Sequence, residues 1–407
     1  MRFLFLALFL LLIDYAAFKS VSLATQDWSG TARQIVAIIY WTIPVFAFGL
    51  FVSYVLSGRS AANQSIFNLL RILLVLIYVG KILTIGMLLI DSLRLLMLSL
   101  YASVTVSNYD PSRSKFLAQL GILAASVPVV LLSYGIIRNA YRYKVWRHTL
   151  FFDHLPAGFE GLKIVQISDI HAGSFREKEP IKHGIELINQ ENADLVFFTG
   201  DLVNNKADEM DNFIDIFDKI KAKYGVFSIT GNHDYGDYTQ WESREAKIKN
   251  FTYLQTQHAK LGWQLLMNEH KVLTINNIKV AIIGIENYSG MPQFAKYGSL
   301  PKAYNNVPST DLQILLSHDP THWDYEIREK FPNIDLTLSG HTHGFQFGIE
   351  IPGWLRWSPS QYMFKQWAGL YQEGKQYLHV NRGFGFLGYP GRVGILPEIT
   401  VLEIKRK

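Results

Sequence analysis

The sequence predicts a set of N-terminal transmembrane helices followed by an α/β domain, and three observations carry that expectation. The first third of the 407 residues is mostly apolar, in runs of about 20 residues, the length that crosses a hydrocarbon core about 30 Å thick. From Gly161 onward, apolar runs of strand length alternate with amphipathic stretches, as in a layered α/β architecture. Five clusters of nitrogen and oxygen ligands each fall directly after one of those apolar runs.

The spans are expected at Ile35 to Leu56, Leu69 to Ile90 and Leu117 to Ile137, with a further one from Phe3 through about Leu23. Asp14 interrupts this first segment, and Arg2 with small Ala16 and Ala17 also suits a cleaved signal peptide. Bulky Phe18 and Lys19 after the small pair favour an uncleaved helix, giving four spans. Asp14, Arg71 and Lys81 are the polar residues inside the spans; snorkelling or pairing within the bundle is expected over a functional role, since Arg71 lies near a helix end.

Arg138, Arg142, Lys144 and Arg147 crowd the exit of the last span. With four spans, Arg2, the turn at Arg59 and this basic segment share one side, which the positive-inside rule makes cytoplasmic. Lys19, Arg33, Arg113 and Lys115 on the other side make the asymmetry modest. The expected division is residues 1–150, membrane helices with a basic linker, and 151–407, the α/β domain. The net charge of +5 owes much to the linker, which suits anionic lipid head groups rather than nucleic acid. Cysteine is absent, so disulfides and thiolate metal ligands are excluded.

In the second part, strands are expected at Lys163 to Ile167, Asp194 to Thr199, Gly225 to Thr230, Ile278 to Ile285, Leu312 to Leu316, Ile334 to Leu338 and Gln376 to Val380, with a strand pair over Val393 to Ile404. Helical spacing runs over Ile181 to Asn192, Asp208 to Lys223 and Trp241 to Gly262.

The chemistry centres on Leu338 to Gly344, Leu-Ser-Gly-His-Thr-His-Gly, where His341 and His343 end an apolar run. Upstream stand Asp169 and His171 in Ser-Asp-Ile-His, Asp201 in Gly-Asp-Leu-Val-Asn, Asn232, His233 and Asp234 in Gly-Asn-His-Asp, and His318 in Ser-His-Asp. Strand ends in open α/β sheets converge on one edge, which brings five segments to one place. Imidazole, carboxylate and amide oxygen without sulfur suit manganese, iron or zinc. The ligands outnumber one tetrahedral site, and a two-metal centre, with ions about 3.5–4 Å apart, accounts for the surplus. His148, His154, His183, His258, His270, His322 and His379 are isolated and read as core or surface residues.

This ordered set of motifs resembles the calcineurin-like metallophosphoesterases over about Lys163 to His343. The ending, Asn-Arg-Gly-Phe-Gly through Leu-Pro-Glu-Ile-Thr-Val-Leu-Glu-Ile, resembles the membrane-anchored bacterial subgroup, which includes UDP-diacylglucosamine pyrophosphatase-like relatives. The resemblance implies two facing β-sheets flanked by helices, and two divalent ions, manganese first, with iron, zinc or magnesium as alternatives. Asp169, His171 and His343 would hold one ion, Asn232, His318 and His341 the other, and Asp201 would bridge them. His233 would face the substrate, stabilising the phosphoryl oxygens or protonating the leaving alkoxide, and Asp234 would orient it.

The implied activity is hydrolysis of a phosphoester or pyrophosphate by metal-activated water, on a phosphorylated, lipid-linked substrate such as UDP-diacylglucosamine. The implied setting is a bacterial inner membrane, multi-pass, with the catalytic domain in the cytoplasm, membrane lipids as partners and no nucleic acid. Asn204 and Phe345 depart from the family pattern, which often has Asp and Gly there. The competing reading is a metal-dependent membrane protein that binds or senses phospholipid head groups with little turnover; His233 argues against it, since binding has little need of a proton donor. Phe345 to Tyr371 is rich in aromatic residues beside Arg356 and Lys365, and reads as a flap packed on the sheet ahead of a membrane-interface element. Arg382 suits a phosphate contact and a turn-stabilising role equally.

Overall fold

The computed structural model describes residues 2–57, 61–102, 111–351 and 353–407; the expected turn at Arg59 and the side chains of Arg2 and Arg71 lie outside what it describes. The chain forms two compact units, Met1–Tyr134 and Gly135–Lys407.

The first unit contains α1 (Arg2–Ala24), α2 (Gly30–Ser57), α3 (Ala61–Ala102) and α4 (Pro111–Tyr134). All four are long and apolar enough to cross a membrane. The third helix is 42 residues long and runs past the expected end at Ile90. Its extension carries Asp91, paired with Arg94 at 2.7 Å, and Arg94 also donates to Ser114 on α4 at 3.0 Å. Deeper in the bundle, Asp14 and Lys81 are buried and form an ion pair. Tyr78 donates to the Asp14 carboxylate at 3.0 Å and Tyr40 to the Asp14 carbonyl at 2.7 Å. Pairing within the bundle is thus the use made of Asp14 and Lys81.

The second unit opens with a π-helical turn, Gly135–Asn139, and then strand β1 (Lys144–Phe152), in the stretch expected to be a basic linker. There follow β2 (Leu162–Ile167), α5 (Glu179–Gln190), β3 (Leu195–Phe198), α6 (Ile214–Phe217), β4 (Val226–Ser228), α7 (Arg244–Lys260) and β5 (Gln264–Leu265). The remainder comprises β6 (Glu269–Ile275), β7 (Ile278–Gly284), β8 (Leu312–Leu316), β9 (Leu336–Ser339), the hairpin β10 (Ile349–Ile351) and β11 (Leu355–Trp357), then β12 (Gly369–Glu373), β13 (Gln376–Val380) and β14 (Glu398–Arg406).

Two six-stranded sheets result, in the orders β1-β14-β2-β3-β4-β5 and β12-β13-β9-β8-β7-β6. Ile164, Phe197 and Phe227 of the first sheet share one fully buried core with Ile282, Ile314 and Leu338 of the second. On the outer face of the first sheet, α5 packs Ile181, Ile185 and Ile188, spaced four and three apart, against Val165 and Val196. On the second sheet, Trp323 and Ile327 cover Ile283, Leu315 and Leu378. The architecture is therefore two facing sheets flanked by helices, as expected.

Strands β2, β3 and β4 run parallel, as do β7, β8 and β9, so their carboxyl ends point to one edge of each sheet. Two expectations fail. Over Asp208 to Lys223 only a 3-10 turn, Ala207–Met210, and the four residues of α6 are helical. The periodic apolar residues Met210, Phe213, Ile216, Phe217 and Ile220 are all buried, while Glu209 accepts the backbone N–H of Asn204, Asn205 and Lys206 at 2.6–3.1 Å and so caps the start of the short 3-10 turn. The expected strand pair over Val393 to Ile404 is the single strand β14, and Val393 makes an isolated bridge to Phe347.

Candidate metal centre

The loop after each of five strands carries the residues singled out in the sequence: Asp169 and His171 after β2, Asp201 after β3, Asn232 to Asp234 after β4, His318 after β8, and His341 and His343 after β9. Backbone bonds tie these loops together: Asp169 N–H to Gly200 C=O at 2.9 Å, His171 N–H to Asp201 C=O at 3.1 Å, and Gly340 N–H to His318 C=O at 2.9 Å. The crossing is tight. A Cβ on Gly340 would strike Ser168 and Asp169, and one on Gly231 would strike Asp201.

Five of the residues adopt left-handed backbone, with φ of 52° at Asp169, 49° at His171, 62° at Asp201, 72° at His341 and 50° at His343. Each such residue costs about 1–2 kcal/mol relative to ordinary backbone, a cost borne where side-chain placement demands it.

Two groups could each hold a metal ion, Asp169 with His171 and His343, and Asp201 with His318 and His341; within each, the ligand atoms lie within 4.8 Å of one another. In the first group, His343 Nε2 is 3.0 Å from His171 Nε2 and 3.2 Å from Asp169 Oδ1. In the second, His318 Nε2 is 3.2 Å from Asp201 Oδ2, the same oxygen that lies 3.6 Å from His171 Nε2. Asn232 joins the second group through its Oδ1, 2.8 Å from His341 Nδ1, while its amide nitrogen donates to Tyr238 Oη at 2.9 Å.

The donor set fits divalent cations. The Thr199 carbonyl accepts Nδ1–H of His318 at 2.7 Å, which aims Nε2 at Asp201, and that buried nitrogen makes no hydrogen bond. Facing imidazole nitrogens at van der Waals range or closer are the arrangement a shared cation stabilises. Burial disfavours the charged forms of both Asp201 and His318, but the pair holds itself charged, with Asp201 well below the usual carboxylate range and His318 raised to about 10, so a cation bound there would replace the proton on His318 Nε2. Asp169 is likewise lowered by His343 against the cost of burial. Burial drives His171 well below the usual imidazole value, leaving it neutral and able to ligate.

His233 is half-buried. It donates Nδ1–H to the Asn204 carbonyl at 2.8 Å, so its Nε2 is the free nitrogen. Its ring lies 5.0 Å from that of His171 and 4.5 Å from that of Tyr238. Asp234 does not orient this ring. Its carboxylate accepts backbone N–H from Asp201, Leu202, Val203 and Gly231 at 2.8–3.3 Å, and thereby clamps the loop after β3 to the loop after β4.

Two side chains gain roles the motifs did not assign. Asp319 is buried, with Oδ2 3.5 Å from His341 Nε2. Arg392 is buried, donates to the carbonyls of Gly383 and Gly385, and comes within 3.4 Å of His343 Nδ1. Arg382 is committed to Glu398 at 2.6 Å and Glu350 at 2.5 Å, which leaves the turn-stabilising reading. None of the seven histidines read as core or surface belongs to either metal-capable group among the described residues.

Residues 162–345 match the family described as calcineurin-like phosphoesterase, and the chain belongs to the calcineurin-like metallophosphoesterases. Residues 1–140 match a second description, probable calcineurin-like phosphoesterase, transmembrane domain, which makes it a membrane-associated member. It is 31% identical to the uncharacterized metallophosphoesterase YkuE of Bacillus subtilis, across 72% of this chain and 98% of that protein. Identity to the transmembrane protein with metallophosphoesterase domain of Danio rerio is 29%, across 70% of this chain and 62% of the relative. An uncharacterized metallophosphoesterase of Helicobacter pylori is 28% identical, across 75% of this chain and 76% of the relative.

Proposed function

We propose that this chain is a membrane-anchored phosphohydrolase that binds two divalent metal ions and cleaves a phosphoester or pyrophosphate. The observation that carries the reading is the single carboxylate oxygen Asp201 Oδ2, within 3.6 Å of His171 in one metal-capable group and 3.2 Å of His318 in the other. Two ions held there, manganese first, would supply Lewis-acid stabilisation of phosphoryl oxygens and an activated water.

The chain's own residues divide the remaining work. Asp169, His171 and His343 would hold one ion, and Asn232, His318 and His341 the other. Asp201 would serve both, and Asp234 keeps its loop in place through four N–H contacts. His233 is fixed by the Asn204 carbonyl, so Nε2 is available to bind a phosphoryl oxygen or, when protonated, to give its proton to the leaving oxygen.

The four apolar helices in the same chain support a lipid-linked substrate such as UDP-diacylglucosamine. The arginines at positions 138 and 142 support a cytoplasmic site on a bacterial inner membrane. The test is hydrolysis of bis-p-nitrophenyl phosphate and p-nitrophenyl phosphate by the full chain in detergent, with manganese, then of UDP-diacylglucosamine. Metal-dependent turnover lost in Asp201→Ala and His233→Ala supports the reading. No turnover of any of the three by metal-loaded, folded protein overturns it in favour of head-group binding.

A further inference from the structure

The hairpin β10–β11 makes its contacts to the domain through its polar side and leaves most of its apolar side exposed. Its register pairs Ile349 with Trp357, Glu350 with Arg356, and Ile351 with Leu355. Successive strand residues point to opposite faces, so Ile349, Ile351, Leu355 and Trp357 share one face, and Glu350 and Arg356 the other. The charged face contacts the domain, although Arg356 stays about as exposed as Leu355 and Trp357 on the opposite face is half-buried. Glu350 accepts from buried Arg382 at 2.5 Å, and Arg356 donates to Tyr371 Oη at 3.1 Å with its guanidinium 4.5 Å from the Trp367 ring centre. The apolar face is open, with Ile349 48%, Ile351 43% and Leu355 39% exposed. Trp354 beside it is 79% exposed and Tyr362 75%. An antiparallel pair on a domain surrounded by water places these faces the other way round.

The surrounding aromatic segment divides the same way. Phe364 and Trp367 pack with Ile395 in a small core, as a flap would, while Phe345, Trp354 and Tyr362 stay outside.

The backbone connects this hairpin to the point where the chain leaves its last apolar helix. Gly348 N–H donates to Val393 C=O at 2.9 Å, and Val393 N–H donates to Gln346 C=O at 2.8 Å. The neighbouring Arg392 N–H donates to Gly135 C=O at 3.2 Å. Gly135 is the residue that follows α4, and the apolar stretch of that span runs from Ser112 to Asn139. Exposed Arg138, Arg142 and Arg176 line a groove of about 640 Å³ that starts at Ile136.

We infer that the outer face of the hairpin, with Trp354 and Tyr362, docks into the boundary between lipid head groups and acyl chains of the membrane that the helices span. Tryptophan and tyrosine sit at that depth, isoleucine and leucine favour the acyl side, and the arginines suit anionic head groups. A bilayer is favoured over a second copy of the chain because Val393, hydrogen-bonded to the hairpin's base, directly follows Arg392, whose N–H is bonded to Gly135 within the apolar stretch Ser112 to Asn139. Phe345 and Phe347, which lead from His343 into the hairpin, would then lie at the lipid surface, so a substrate could reach the metal centre without leaving the bilayer. That last step rests on the phosphohydrolase reading; the docking itself does not.

The chain has no cysteine, so single cysteines introduced as Trp354→Cys or Tyr362→Cys take a nitrobenzoxadiazole label cleanly. The labelled full chain is reconstituted into phosphatidylcholine–phosphatidylglycerol vesicles, with Asn305→Cys beside β6 as the reference. The expected result is blue-shifted emission at 354 and 362, quenched by lipids carrying a nitroxide near the head group, with no quenching at 305. Water-like emission at both hairpin positions overturns the inference, as does a blue shift that nitroxide lipid leaves unquenched, the signature of docking on a second copy. Hydrolysis of bis-p-nitrophenyl phosphate is followed in the same samples. Its absence with quenching intact counts against the enzyme reading alone.

Discussion

His171 and His343 stand 172 positions apart, one after a strand of each sheet, yet their Nε2 atoms are 3.0 Å from one another. The facing sheets meet at this pair, and a cation shared by both rings would join them. Replacing His343 with Ala should therefore remove one ion per chain while leaving the ion near His318. Metal analysis by mass spectrometry reads this directly, and chelation of the parent should lower its Tm, with manganese restoring it.

For His233 the expectation is the opposite split. His233→Ala should keep its full metal content and unfold at the parental temperature, while kcat falls by about 10²–10⁴, the usual range for a positioned acid or base. Loss of metal in this variant would make His233 a ligand.

Asp234 predicts a stability effect. Asp234→Ala leaves the N–H groups of Asp201, Leu202, Val203 and Gly231 without their acceptor in a buried site. A cost of roughly 3 kcal/mol or more is expected, seen as a lowered denaturation midpoint together with weaker metal binding.

Acid should destabilise the second unit through two buried imidazoles. Burial lowers His258 and His379 from 6.5 to about 3, with Glu398 opposing the shift at His379. Both are neutral in the fold, whereas the unfolded chain takes up a proton below 6.5. Their contribution is thus present above that value and is lost as pH falls toward about 3, at up to about 1.4 kcal/mol per histidine for each pH unit. Thermal unfolding of the full chain across that window should show a shallower slope in His258→Gln.

In the bundle, Lys81→Met strands the buried Asp14 carboxylate and should cost about 3–5 kcal/mol, whereas pairing it with Asp14→Leu should recover most of the loss. Thermal stability in detergent distinguishes the single from the double variant.

The residues of the metal-capable groups were legible because their signals are local. Each is a polar residue placed at once after an apolar run, and the run identifies the strand that delivers it. The partner of His233 was not legible, because it is the carbonyl of Asn204, a group every residue carries. Asp234 misled for a related reason: adjacency in Gly-Asn-His-Asp suggested an imidazole partner, while its carboxylate reaches across to the loop after β3. Asp208 to Lys223 kept helical spacing without a helix because burial of Phe213, Phe217 and their neighbours needs only that they face one way. Strand β1 was hidden by its own charges, since Lys144 and Arg147 read as a membrane-flanking segment.

Strand β14 lies between β1 and β2, parallel to the one and antiparallel to the other, with nine residue pairs along β1. During synthesis β1 follows directly behind the apolar helices, but more than half of the chain must emerge before β14, its sheet neighbour among the described residues, exists. The first sheet therefore closes last, after every loop of the metal centre has been made. Ribosome-bound chains that stop short of Glu398 would carry all the candidate metal ligands, on loops of both sheets, while the first strand of one sheet is still unpaired, so topology sets helix synthesis ahead of sheet closure.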